Sequence, residues 1–433
     1  MKLISATLYD GKGLTVPDLS GFRPEPEVES QVVNVYSATR QTILGFGGAF
    51  TDSAGYNYVS MPEEEKQRTL SWLFGKEGLG YHFCRIPMAS CDFSPYMYIN
   101  IDENDLTFAS FSIEEDKKYK IPFLKDALKY TQGNLTLFAS PWSPPAFMKD
   151  TGDRLHGGRL LKKYYPLWAE YFCRFVEAYR DEGIPLWGVT LQNEPHAVQT
   201  WESCVFDAEE EIAFAKVLRA AFRAHGLETK ILGWDHNKER LVERANAFLT
   251  GDDFDGIGFH WYSGAHFGAV ETVRDLYPDK WMIETEFCTG IAPQHNPVAY
   301  PHDMVGNLAH GTNAIVEWNL ILDEEGAPYH DRIGGCEAPV RYDTARKKAY
   351  QSPNYNATYI LTHFVCPGSV ALRTSAYDER LTTFACRRPD GVVVLSVVNT
   401  ADLPRPLRIR CFSGHVTSLT LPPHATVTLE MEE

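Results

Sequence analysis

A chain of 433 residues that is 44% hydrophobic and 13% aromatic can bury a large core, and its length predicts one large domain with a smaller companion. Its formal net charge of −16 argues against nucleic acid and against an anionic membrane surface, since both demand a basic face. A neutral small-molecule substrate fits better, and oligomeric state is left open.

The first ten residues hold one Lys and an apolar run that stops at Asp10, so they lack the apolar core of a secretory signal. No stretch reaches the roughly 18 apolar residues of a membrane span. A cytoplasmic protein without integral membrane association is therefore expected. The 9 cysteines are scattered with no Cys-x-x-Cys, which indicates neither a disulfide framework nor a zinc site.

Residues 17–29, rich in proline and acid, read as an extended linker, and residues 32–38 alternate enough to form a strand. From Ile43 onward short apolar runs alternate with amphipathic stretches. Strands are predicted at 45–50, 81–86, 135–139, 186–191, 230–233, 256–261, 281–285 and 314–318. Helix signals fill several gaps: Ser60 with Glu63, Asp207 with Glu210 closed by Gly226, and an apolar stripe of Trp168, Phe172, Phe175, Val176 and Tyr179. Eight strands alternating with helices predict an α/β fold, a (β/α)₈ TIM barrel, with a doubly wound open sheet as the alternative. After about Val365 the pattern becomes strand, Asp390-Gly391 turn and strand, then three further strands at 407–411, 416–421 and 425–429. The expected organisation is N-terminal strand(s) of a β-sandwich side domain in 1–42, a catalytic barrel over 43–364 and the rest of the sandwich over 365–433.

Two of the predicted strands end in acids: Thr190-Leu191-Gln192-Asn193-Glu194-Pro195 and Met282-Ile283-Glu284-Thr285-Glu286. Taken alone, Asn193-Glu194-Pro195 is also a plausible helix start, with Asn193 as N-cap. The second acid in a matching position favours a pair at the C-terminal mouth of the sheet, where binding and chemistry collect. Asp92, Trp142, Asp235, His236, His260, Tyr262, Trp318 and Asn319 follow other strands and ring the same mouth. Neither Glu194 nor Glu286 has a basic neighbour in sequence, although Arg85 is available in space.

Paired carboxylates among aromatic rings point to glycoside hydrolysis, in which one acid attacks the anomeric carbon and the other serves the leaving oxygen while rings stack on the sugar. No His-Glu-x-x-His is present, and residues 252–256 lack the alternation of a calcium loop, so no metal and no cofactor are expected. Gly45-Phe46-Gly47-Gly48 matches no phosphate-cradling pattern and reads as a strand that packs closely.

Gly45-Phe46-Gly47-Gly48-Ala49-Phe50-Thr51-Asp52, the run from Arg85 to Ser94, Ala139-Ser140-Pro141-Trp142-Ser143-Pro144-Pro145, Asn193-Glu194-Pro195, His260-Trp261-Tyr262, Glu286-Phe287-Cys288 and Trp318-Asn319-Leu320 stand in the order of a known family's landmarks. In these the chain resembles glycoside hydrolase family 30, the glucosylceramidase-like family. The resemblance implies a barrel with a side sandwich built from both termini, Glu194 as acid/base and Glu286 as nucleophile. It further implies substrate contacts from Asp92, Trp142, Asn193, Tyr262 and Trp318, with His260 beside them and Trp201 in place of an aglycone aromatic. The expected activity is that of a retaining β-glycosidase, a β-glucosidase or glucosylceramidase-like enzyme on a small glycoside or glycolipid. The alternatives are a β-xylosidase, β-fucosidase or β-1,6-glucanase, or a non-catalytic carbohydrate-binding or effector protein. A retaining pair predicts carboxyls about 5 to 5.5 Å apart, with Glu194 protonated and Glu286 ionised. The loop 288–300 and the long segment 323–356 are individual to this sequence.

Overall fold

The computed structural model describes residues 1–25, 30–291, 296–332 and 334–432. The last part of the predicted 17–29 linker and the middle of the 288–300 loop lie outside the described residues. Eight parallel strands close into a barrel: Gly45–Ala49, Phe83–Met88, Thr136–Pro141, Gly188–Thr190, Lys230–Asn237, Gly256–His260, Trp281–Phe287 and Ala314–Asn319. All eight predicted strands are present, so the open sheet is excluded. Phe83, Phe138, Leu232, Ile283, Ala314 and Val316 fill the lower barrel as a separate apolar plug, leaving polar strand ends to meet above it.

Closure depends on backbone approach in the glycine run. A Cβ on Gly47 would stand 1.9 Å from the Phe83 carbonyl oxygen, which no side chain tolerates. The predicted close packing of this strand is thus literal contact between neighbouring backbones.

The fifth strand differs from expectation. It runs to Asn237 rather than ending at Gly233, because Trp234 and Asp235 both take left-handed φ values of 71° and 57° and the pairing then resumes at His236 against Phe259. Such a bulge re-aims side chains, and here it turns Asp235 into the barrel mouth. A register irregularity also follows Glu284 in the seventh strand. Glu284 accepts from Asn307 Nδ2 at 2.9 Å beside Lys238, while Glu286, two residues on, serves the mouth.

Capping signals met mixed outcomes. Asp207 and Glu210 form the full capping box of Ala208–Ala224, and Gly226 follows it with φ 65°. Ser60 and Glu63 do not form one. The helix Glu63–Phe74 is preceded by Pro62 at its N-cap without a side-chain bond, and the Ser60 hydroxyl instead closes the previous helix by donating to the Tyr56 carbonyl at 2.7 Å.

The side domain is one ten-stranded sheet in which N-terminal and C-terminal segments interleave. As expected, the strand near 32–38 joins it: Val32–Thr42 pairs antiparallel with Val370–Ala376 and parallel with Arg405–Arg410. Lys2–Tyr9, within the 1–42 segment assigned to the side domain but not itself predicted as a strand, also pairs along its length with Ala425–Glu432. Its inward residues Ala6 and Leu8 belong to the apolar cluster of the sheet, together with Leu395, Val427 and Leu429. No helix among the described residues is long and apolar enough to cross a membrane.

After the eighth strand, Ile321–Asp323, Val340–Asp343 and Lys348–Gln351 form a small three-stranded sheet. The intervening chain returns across the barrel mouth and brings Arg332 and Cys336 to it.

Candidate active site

The mouth holds an open cavity of about 590 Å³ lined by Asp92, Trp142, Asn193, Glu194, Trp201, Tyr262, Glu286 and Trp318, together with Arg332, Cys288 and Cys336. Eight of the nine residues singled out from the sequence therefore share one cavity. The ninth, His260, does not line it: its ring is wholly buried and lies against the carboxylates.

Arg85, from the second strand, is the centre of the arrangement and has no exposed surface. Its Nη1 donates to Glu286 Oε2 at 2.6 Å, its Nη2 to Asp235 Oδ2 at 2.8 Å and to Asn193 Oδ1 at 2.9 Å, and its Nε to Ser140 Oγ at 2.9 Å. A guanidinium is planar and forked, so these bonds tie four strand ends to one rigid group. The same guanidinium lies 4.8 Å from the Trp142 ring centre and 5.6 Å from that of Trp318. The two indoles stack on each other at 5.2 Å and 20°, giving the cavity an aromatic wall.

His260 carries the second positive centre. Its Nδ1 lies 3.2 Å from Glu194 Oε1 and 3.9 Å from Glu286 Oε1, and its Nε2 lies 3.0 Å from Asp235 Oδ1. Glu194, His260 and Glu286 each present an atom to a space in which all three lie within 4.8 Å of one another. Such a trio could hold a cation in principle, but both His260 nitrogens face carboxylates and Arg85 already stands on Glu286. The positive charge that two close acids need is supplied by the chain itself. Tyr262 adds a donor, its hydroxyl bonding Glu286 Oε1 at 2.8 Å.

Electrostatics follow from this packing. Burial favours a neutral His260 ring, yet the charge of Glu286 and the bonds to Asp235 and Glu194 prevail and push it up to about 9. Burial likewise raises the Glu194 carboxyl, but the His260 hydrogen bond and charge outweigh it and hold Glu194 below its ordinary value. This direction runs against the expectation that Glu194 holds its proton while Glu286 stays ionised. The packing favours a charged His260 ring beside an ionised Glu194, so the two act as a pair that shares one proton. Asp235 is held well below the carboxylate range because Arg85 and His260 overcome its burial.

At the far wall, Asp92 is pushed up to about 7 by burial, with Arg332 pulling it back down and Glu286, Glu202 and Glu194 adding to the rise. Arg332 Nη1 donates to Asp92 Oδ2 at 2.7 Å, and its guanidinium lies 4.5 Å from the Phe93 ring centre and 5.6 Å from that of Trp201.

Of two further participants, Asp235 was placed at the mouth from the sequence but given no role, and Arg332 was not named at all. Asp235 had a visible signal, a polar residue after an apolar run, but its bulged approach to Arg85 did not. Arg332 sits in a loop without periodicity and carried no signal at all. Glu194 itself has a left-handed φ of 45°, and its N–H donates to the Asp235 carbonyl at 3.0 Å. The strained turn is thus tied down by the same neighbour.

Residues 43–365 match the model of the glycosyl hydrolase family 30 TIM-barrel domain, and residues 368–429 that of the family 30 beta sandwich domain. The lysosomal acid glucosylceramidase of Mus musculus is 31% identical over 399 residues, which cover 85% of this chain and 77% of that protein. An endo-1,6-beta-D-glucanase of Neurospora crassa is 25% identical over 357 residues, covering 78% and 73%. Among solved structures, SrfJ from Salmonella typhimurium superposes with a TM-score of 0.94 at 33% identity, covering 99% of both chains.

Proposed function

The chain belongs to glycosyl hydrolase family 30, and from that premise we propose that it is a retaining β-glycosidase acting on β-glucosides. The observation that carries the reading is the approach of Glu194 and Glu286, which bring carboxylate oxygens within 4.8 Å of each other. Inversion needs about 6.5 to 9.5 Å to lodge a water between the acids, whereas direct attack needs about 5 to 5.5 Å. One oxygen of each acid within 4.8 Å is compatible with the shorter separation of the carboxyl groups and supports a covalent intermediate.

The two acids also have different surroundings, as their different tasks require. Glu286 receives Arg85 and Tyr262, two donors that orient it as an attacking carboxylate. Glu194 receives His260 and reaches the cavity from a different strand end. In the first step a Glu286 oxygen bonds the anomeric carbon, the glycosidic bond breaks, and the proton held by the Glu194–His260 pair goes to the leaving oxygen. In the second, Glu194 takes a proton from water, whose oxygen displaces Glu286 from the same carbon. Trp142 and Trp318 offer the stacked wall for the sugar, and Asp92 and Asn193 offer acceptors for its hydroxyls.

Glucose is the proposed glycone because it is what the names of the mouse and Neurospora relatives share: a glucosyl group in one, a β-D-glucan in the other. The two names diverge at the aglycone. Here Arg332 and Cys336 from the segment 323–356 line the cavity together with Trp201, and we assign the choice of leaving group to them.

A panel of aryl β-glycosides, with the first-released sugar followed by proton NMR, tests the reading. Hydrolysis of the glucoside with the β-anomer appearing first is expected. Failure on every β-glycoside, or an initial α-anomer, would sink it.

A further inference from the structure

Two thiols stand beside the nucleophile. Cys288 follows Glu286 by two residues, Cys336 arrives on the loop that returns over the mouth, and their Sγ atoms are 3.5 Å apart. Both line the cavity while being otherwise buried. Backbone pairing holds the two segments together next to the thiols: Gly290 forms a β-bridge with Cys336, and the Glu337 N–H donates to the Thr289 carbonyl at 2.9 Å. The pair is therefore held in register by main chain, and not by the chance meeting of two side chains.

From this geometry we infer that Cys288 and Cys336 form an oxidation site, a dithiol that hydrogen peroxide entering through the substrate cavity converts to a disulfide, shutting off turnover. The inference rests on the glycosidase reading above only for its effect on activity.

The chemistry balances without any further reactant. The Cys336 thiolate attacks one peroxide oxygen, the O–O bond breaks, and hydroxide leaves, taking up a proton to become water and leaving a sulfenic acid on Cys336. The Cys288 sulfur then attacks Cys336 Sγ, a sulfur–sulfur bond forms, and the sulfenic oxygen departs as a second water with the Cys288 proton. Two electrons leave the sulfurs and reduce the peroxide. Cys336 suits the first role: the Cys288 hydrogen bond lowers its thiol against the rise from burial, and the nearby Arg332 cation lowers it further.

The connection to turnover runs through Tyr262. Its hydroxyl lies 3.4 Å from Cys288 Sγ and donates to Glu286 Oε1 at 2.8 Å. A bonded sulfur pair is about 2.0 Å apart, so the two sulfurs must close on each other. Cys288 then withdraws from its contact with Tyr262, and Cys336 draws the Arg332 loop inward over Asp92. Displacements near 1 Å at a reacting centre cost about 100-fold.

Reduced protein treated with hydrogen peroxide, then denatured, alkylated with N-ethylmaleimide and mapped by peptide mass spectrometry, tests the site. A cross-linked pair of the Cys288 and Cys336 peptides is expected, along with a fall in kcat/KM on an aryl β-glucoside of at least about 10-fold that dithiothreitol reverses. The Cys336→Ala variant, compared with itself before and after peroxide, should form no such cross-link and show no loss. Alkylation of both cysteines after peroxide, with no cross-link, overturns the proposal. So does a cross-link without loss of activity, or a loss that persists in Cys336→Ala. The mapping needs no turnover, so a protein that hydrolyses no β-glycoside would refute the functional reading while the cross-link still decides the dithiol.

Discussion

Arg332 reaches back from the loop after the eighth barrel strand to donate to Asp92 at the end of the second, 240 residues earlier in sequence, at 2.7 Å. Burial lifts Asp92 to about 7, and Arg332 is the group that restrains it. If an ionised Asp92 is what grips the sugar hydroxyls, kcat/KM should rise with pH through about 7. Replacing the cation by Arg332→Met removes the restraint, and the acidic limb should move up by at least about one pH unit. A pH profile of kcat/KM on both proteins measures this, and an unmoved limb would mean that Asp92 does not set it.

His260 governs the alkaline side. Its folded value of about 9 lies above the ordinary 6.5, so its contribution to stability is complete below about pH 6.5 and disappears as pH rises through about 9. Activity should decline over the same upper range as the Glu194–His260 proton is lost. In His260→Gln the alkaline limb should fall earlier and kcat should drop, while the loss of unfolding free energy between pH 7 and 10 becomes shallower. Denaturant titrations at several pH values would show the difference, and parallel curves for the two proteins would contradict it.

The two acids are separable in time. Glu286→Ala should form no glycosyl-enzyme with any leaving group. Glu194→Ala, given an aryl glucoside with a good leaving group, should show a burst and then slow turnover, because only the second step still needs a base. Azide requires no base and should revive Glu194→Ala to give the β-glucosyl azide, whereas any azide product of Glu286→Ala should be the α-anomer. Reversed anomers would exchange the assigned roles.

Gly47→Ala tests the barrel itself. Its new methyl meets the Phe83 carbonyl oxygen at 1.9 Å, backbone against backbone. Overpacking of this kind costs about 1 to 3 kcal/mol or more, so the urea midpoint should fall clearly. An unchanged midpoint would show that the first two strands can separate without penalty.

The alternation of strand and helix was readable because each barrel strand is an apolar run bounded by turn-forming residues, and the acids at their ends stood out against it. Trp234 and Asp235 were less readable, since nothing in an apolar run announces two left-handed residues that let pairing continue past them. Ser60 and Glu63 satisfied a spacing rule that ignores what precedes the serine, and the Tyr56 carbonyl at the end of the previous helix takes both the hydroxyl and the N–H of Ser60. Lys2–Tyr9 has a partner more than 400 residues away, beyond the reach of any local pattern. Arg332 and Cys336 belong to a loop whose path is dictated by the small sheet at its base, so their arrival at the mouth is a fact of tertiary structure alone.

The edge-to-edge pairing of Lys2–Tyr9 with Ala425–Glu432 also sets a timetable. During synthesis Lys2–Tyr9 emerges before every barrel strand and its neighbour Ala425–Glu432 after all of them. The barrel segment from 45 to 319 contains all of its own pairing partners and can assemble beforehand. The side sheet must wait, with Lys2–Tyr9 paired only to the short Leu14–Thr15 while the barrel strands are made, and loop closure over that span is slow. A ribosome paused ahead of residue 425 would carry a finished catalytic mouth on a half-built foundation.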